Sequence, residues 1–193
     1  MLRLMAEAWL AARSLYRLMR FQEGWEDGFD LSANGFWRSF GAALVALPLI
    51  ALILVGAWYI QPAEFSGLRF FVLYILSWLV FPLAAGLAVT VLGVRTKFTV
   101  WVILHNWAVV LLYGLQAIFF LLHTAGLING DMLNLLFMLY GYGRLLVHWR
   151  IAYASLGLPT ITSALATAVP ILAFELVMTG INLAFIASAT QPG

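Results

Sequence analysis

Five long stretches of this chain carry almost no charge, and that feature limits the solvent in which it can fold more than any other. They cover residues 40–60, 70–94, 99–122, 132–150 and 160–189, divided by polar turns such as Gln61-Pro62-Ala63-Glu64 and Asn129-Gly130-Asp131. One helical crossing of a bilayer core about 30 Å thick takes about 20 predominantly apolar residues. The runs are continuous rather than alternating and about twice the length of a barrel strand, which predicts helices. Composition agrees: 64% of residues are hydrophobic and 9% charged, against about 45–50% and about 25% in soluble domains. The expectation is an all-α integral membrane protein: a five-helix transmembrane bundle over residues 40–193, preceded by a cytoplasmic segment, residues 1–39, with an N-terminal amphipathic interfacial helix. The same numbers exclude an ordinary soluble enzyme, a disordered tail and a nucleic-acid binder. With no cysteine in the chain, disulfides, thiolate metal sites and a cysteine nucleophile are excluded as well.

The fourth run is the least uniform, since Gly141, Gly143 and Arg144 lie inside it and His148 and Arg150 close it; it can extend toward Leu156. Asp131 is the expected cap of the fourth helix, and Thr160 and Thr162 those of the fifth. Orientation follows from the basic residues, because cytoplasmic flanks carry the Lys/Arg excess. Arg3, Arg13, Arg17, Arg20 and Arg38 precede the first run, Arg95 and Lys97 divide the second from the third, and Arg144 and Arg150 end the fourth. Arg69 alone falls on the other side. Five crossings, with the N-terminus inside and the C-terminus outside, keep this alternation; four or six break it.

Arg3, Glu7, Arg13 and Arg17 interrupt any signal-peptide core in the first twenty residues. At 100° per residue Leu2, Met5, Trp9, Ala12, Tyr16 and Met19 share one helical face, and Arg3, Glu7, Arg13, Ser14 and Arg17 gather on the other. Such a helix is expected flat on the anionic inner leaflet, with docking against the bundle or a partner as the alternative. The linker from Phe21 to Phe40 mixes Glu23, Glu26, Asp27 and Asp30 with Trp25, Trp37 and several glycines. It reads as an interfacial loop or as a docking surface for a soluble or membrane-protein partner. Glu26, Asp27 and Asp30 lack the regular ligand spacing of a calcium loop, and no metal is expected there.

Ionisable groups inside a crossing are costly and are the default functional candidates. Glu175, in the middle of the fifth run, shares a face with Thr179 and Asn182, a polar stripe expected to face the bundle. The third run carries His105, Asn106 and Gln116, with His105 and Gln116 nearly aligned. Arg144, Tyr140 and His148 cluster in the fourth. Glu175 is expected to pair with His105 or Arg144, either as a structural clamp or as a site for a proton or cation. Ala42-x-x-x-Ala46, Ala84-x-x-x-Ala88 and Ala164-x-x-x-Ala168 read as close helix contacts. No phosphate-binding glycine loop, serine elbow or His-Glu-x-x-His pattern occurs, and the spacing of His105, His123 and His148 gives no haem signal, so neither catalysis nor a cofactor is expected.

The segment Phe29-Asp30-Leu31-Ser32-Ala33-Asn34-Gly35-Phe36-Trp37-Arg38-Ser39-Phe40, followed by Gly41-Ala42-Ala43-Leu44-Val45-Ala46-Leu47-Pro48, resembles the opening of small multi-pass inner-membrane proteins of alphaproteobacteria. The five-span plan with a cytosolic N-terminus more loosely resembles the Yip1-like family of membrane-organising proteins. Both resemblances imply a non-catalytic membrane role. The expected function is a small scaffold or accessory subunit that meets anionic lipid or a partner through Arg3, Arg13, Arg17, Trp25 and Trp37, alone or as a homo-oligomer. The alternative is a small oligomeric proton- or cation-coupled transporter or channel using Glu175.

Overall fold

The computed structural model describes residues 2–60 and 67–189, with side chains for residues 3–60 and 67–185. Among the described residues all regular structure is helical: α1 (Leu2–Met19), α2 (Ala33–Ser39), α3 (Ala42–Ile60), α4 (Gly67–Val91), α5 (Phe98–Thr124), α6 (Gly130–Leu156) and α7 (Thr160–Ala189), with short 3-10 turns at Glu26–Gly28 and Arg95–Lys97. Four helical stretches are long and apolar enough to cross a membrane: Ala33–Ile60, which joins α2 to α3, Gly67–Val91, Arg95–Thr124 and Thr160–Phe185. α6 is as long as α5, at 27 residues, but Asp131, Arg144 and Arg150 with His148 dilute its hydropathy.

The boundaries follow the runs with local differences. α4 ends at Val91, three residues early, because Gly93 turns left-handed and the Val94 N–H bonds back to the Val89 carbonyl at 2.9 Å. α6 continues through Arg144, His148 and Arg150 to Leu156. Its cap is Asn129, whose side chain accepts from the Met132 N–H, and not Asp131, which lies in the first turn where the helix dipole favours a carboxylate.

α5 is the axis of the molecule. It contacts α1, α2, α3, α4 and α6, and residues 101–108 are all buried, the pattern of a helix enclosed on every side. Asn106 meets Ser39, Gly114 faces Leu49, and Phe120 faces Gly56, so α3 and α5 run parallel. Phe119 with Phe137 and His105 with His148 set α6 antiparallel to α5; Thr167 with the His148 carbonyl and Glu175 with Arg144 set α7 antiparallel to α6. Gly56 permits the closest part of the α3–α5 seam: a Cβ there would stand 2.6 Å from the Phe120 Cβ. The outer surface is apolar, as in the α4 row Leu68, Phe71, Ile75, Leu79, Leu83 and Leu87, all exposed.

α1 has two apolar faces about 120° apart at 100° per residue. One, through Ala11, Leu15 and Leu18, is buried with Ser14 where α1 packs on α5, α3 and α6. The other, the face picked out by periodicity, points outward: Met5, Trp9 and Tyr16 are 54%, 73% and 60% exposed. Arg3, Arg13 and Arg20 are exposed beside it. The face picked out by periodicity is thus the exposed one, and a second row, Ala11, Ser14, Leu15 and Leu18, docks the helix on the bundle.

Candidate functional site

Two assemblies of polar side chains stand out, one inside the bundle and one at its N-terminal cap. The first is a cavity of about 240 Å³ between α4, α5, α6 and α7. α5 supplies His105, Val109, Leu112, Tyr113 and Gln116, positions that fall on one face of a helix. α4 supplies Ser77 and Phe81, α6 Tyr140, Arg144 and His148, and α7 Pro170, Ile171 and Phe174.

His105 is the buried end of this cavity. Its ring lies flat on Phe81, with centroids 3.2 Å apart and planes 3° from parallel, and 5.1 Å from the ring of His148. His105 Nδ1 has no hydrogen-bond partner among the described residues. His148 Nδ1 lies 2.7 Å from the Arg144 carbonyl oxygen; a carbonyl only accepts, so Nδ1 carries the proton and the neutral ring keeps its lone pair on Nε2. Arg144 holds Glu175 in an ion pair across the α6–α7 seam. His123 sits apart at the far end of α5, with Nδ1 3.1 Å from the Ile128 carbonyl oxygen. Among the described residues no three of His, Cys, Asp and Glu come together as a metal site.

Of the residues singled out in sequence, His105, Gln116 and Arg144 come together with Tyr140 and His148 around this cavity. Glu175 pairs with Arg144 and not His105, and it is not part of the cavity wall. Glu175 and Thr179 are exposed, contrary to the expected inward stripe, whereas the Asn182 Oδ1 is buried without a partner among the described residues. The reason lies in the packed face of α7, Ser163, Ala166, Thr167 and Pro170: Glu175, five residues past Pro170, is about 140° around the helix from it. Asn106 points away from His105, its amide donating to Ser39 Oγ at 2.9 Å. Ser77, Phe81, Tyr113 and Pro170 line the cavity without having been anticipated; Tyr113, eight residues from His105, lies about 80° around α5 from it, at the edge of the same face.

The cap forms the second assembly. Ser32 caps α2, its Oγ accepting from the Gly35 N–H at 3.1 Å. Ser32 also donates to Asp30 through its hydroxyl at 2.6 Å and its N–H at 3.1 Å. These bonds, the hydroxyl first, and then the charge of Arg3 hold the Asp30 carboxyl below its ordinary range. Arg38 on α2 pairs with both Glu7 of α1 and Asp30, tying α1, the linker and α2 together. Ser39 then donates to the Phe36 carbonyl at 2.7 Å while accepting from Asn106, which fixes the cap to α5. At the end of α1, Phe21 adopts a left-handed φ of 57°, a conformation that glycine normally supplies. The guanidinium of Arg150, a residue 6% exposed, stacks 4.0 Å from the Phe21 ring centroid and so joins α6 to the cap. Trp25 is half-buried, edge-on to Phe29, whereas Trp37 is 73% exposed. Arg17 is half-buried and turns toward the Gly24 carbonyl, leaving Arg3 and Arg13 as the exposed cations of the expected set.

Comparison with known protein families, with curated proteins and with solved structures returns no match to this chain.

Proposed function

We propose that the chain is a five-crossing membrane protein that works as a non-catalytic scaffold or accessory subunit, holding a rigid amphipathic cap at the cytoplasmic surface. The observation that carries this reading is the double-faced α1, one side locked into the bundle, the other presenting Met5, Trp9 and Tyr16 beside exposed arginines.

The level of the cap supports it. α3 has 19 residues, about 28 Å of helix, which matches a hydrocarbon core. Because Ser39 meets Asn106 in the parallel α3–α5 pair, residues 98–105 project beyond the start of α3, and α1 and α2 pack around them. That level supports a headgroup depth for α1, where aromatic and basic side chains are favoured. α6 serves as the fifth crossing on three grounds. It runs antiparallel to both α5 and α7. Short turns join it to both. Its outward residues Leu135, Met138, Leu139, Leu145 and Leu146 are apolar, while His148 and Arg150 are buried. Five crossings put Arg95, Lys97, Arg150 and the cap on one side, in agreement with the excess of basic residues on cytoplasmic flanks.

The test is purification from native membranes in mild detergent, with the mass of the particle and mass spectrometry of its components. A stoichiometric complex, lost when residues 2–20 are deleted and retained in Glu175→Gln, is the expected result. A lone particle with proton or cation flux abolished by Glu175→Gln would replace the scaffold reading with the transport one.

A further inference from the structure

The cavity between α4, α5, α6 and α7 plays no part in the scaffold reading, and its chemistry stands independently of it. We infer that it is a binding site for a neutral, lipid-soluble molecule with a carbonyl-bearing ring, of the quinone class, whose apolar tail leaves between α6 and α7.

Charge comes first. Arg144 is the cation of the cavity wall, and Glu175 already neutralises it; an anionic headgroup would have to displace that carboxylate, whereas an uncharged one need not. Hydrogen bonding is the second constraint. Tyr113, Gln116 and Tyr140 line the walls, and their hydroxyl and amide groups are donors of the kind suited to carbonyl oxygens. His148, its Nδ1 proton committed to the Arg144 carbonyl, retains Nε2 as an acceptor for the hydroxyl of a reduced ring.

Shape and access agree. Phe81 and His105 lie flat on each other, and Phe174 lines the α7 side, surfaces suited to a planar ring. The volume of about 240 Å³ equals about eight liquid-water volumes, room for one substituted six-membered ring but not for a tetrapyrrole. Ile171 lines both this cavity and an apolar groove of about 280 Å³ formed by Leu145, Trp149, Ala164, Ala168 and Leu172 on the α6–α7 seam. This groove, sharing Ile171 with the cavity, is where we place the tail of the same molecule.

The test uses the full chain in lipid nanodiscs, titrated calorimetrically with a decyl-substituted benzoquinone, with empty nanodiscs as the partition background. The expected result is saturable one-to-one binding, weakened at least tenfold by Tyr140→Phe, by Gln116→Leu, and by Ile171→Trp at the junction with the groove. Unchanged helical circular dichroism in Tyr140→Phe separates loss of the site from loss of the fold. Heat that never exceeds the background, or binding equal in all variants, overturns the site. Displacement of the benzoquinone by palmitate at equal concentration overturns the neutral-headgroup assignment in favour of a carboxylate.

Discussion

The Arg144–Glu175 pair makes the membrane placement of α6 and α7 measurable. In water an exposed ion pair contributes about 0–1 kcal/mol. In a crossing helix, an uncompensated arginine costs at least about 2.5–3.5 kcal/mol near the centre of the bilayer. The Arg144 side chain is 26% exposed and that of Glu175 52% exposed, and the neighbouring outward residues are leucines, so lipid and not water covers the open side in the five-crossing arrangement. Glu175→Gln, which leaves Arg144 charged and unpaired one to two turns inside the end of the span, is therefore expected to destabilise the bundle by about 1–2 kcal/mol, less than the central value. Arg144→Leu, which strands the carboxylate, should cost a similar amount. The double variant Arg144→Leu/Glu175→Leu should cost less than either single one, a coupling above about 1 kcal/mol in a double-mutant cycle. Reversible unfolding in bilayers or bicelles, followed by steric trapping, supplies the three values. A coupling within about 1 kcal/mol would mean an ordinary water-exposed bridge and would refute the placement of this seam in hydrocarbon.

The α3–α5 seam is equally exposed to test: Gly56→Leu would drive a side chain into Phe120 and is expected to cost about 1–3 kcal/mol or more, read from the same unfolding assay, while Gly141→Leu, with open space at its Cβ position, should not. Asp30 gives a pH signature. Its folded carboxyl titrates below the ordinary value of 3.8, so its contribution to the cap is full above that value and lost as the pH falls through the lower folded one; hydrogen exchange over residues 30–39, corrected for intrinsic rate, should rise below pH 3.8 in the wild type and show no such step in Asp30→Asn. A spin label at position 9 should report headgroup depth in liposomes with anionic lipid, and one at position 15, on the buried face of α1, should be immobilised by protein contacts; a freely mobile label at position 9 in water would remove the interfacial reading.

Much of the architecture was legible because each long apolar run ends at a polar or glycine-containing turn: α7 occupies residues 160–189 as expected, and α5 differs from its run by one residue at the start and two at the end. The interior was only partly legible. His105 and Gln116 share a phase that a helical wheel reveals, but Tyr113 lies about 80° from His105, and aromatic residues in apolar runs carry no mark that distinguishes a cavity wall from ordinary packing. Asn106 lies one residue and 100° from His105, enough to send it to Ser39 at the cap instead of the cavity. The docking face of α1 was hidden for a different reason. Ala8, Ala11 and Ser14 make weak apolar signals, so Leu15 and Leu18 alone do not outline this face against the larger aromatic one. The exposed position of Glu175 depends on which side of α7 meets α4 and α6, a tertiary fact that no periodicity within α7 encodes.

The chain has no cysteine, so single-cysteine labelling gives the most direct test of five crossings with the cap inside. Leu127→Cys lies in the turn between α5 and α6, and Leu158→Cys in the turn between α6 and α7. A membrane-impermeant maleimide applied to intact cells should label position 127 at once and position 158 only after permeabilisation, together with a cysteine at position 13 on the cap. Labelling of positions 127 and 158 from the same side would show that α6 does not cross, and would contradict the arrangement on which the account rests.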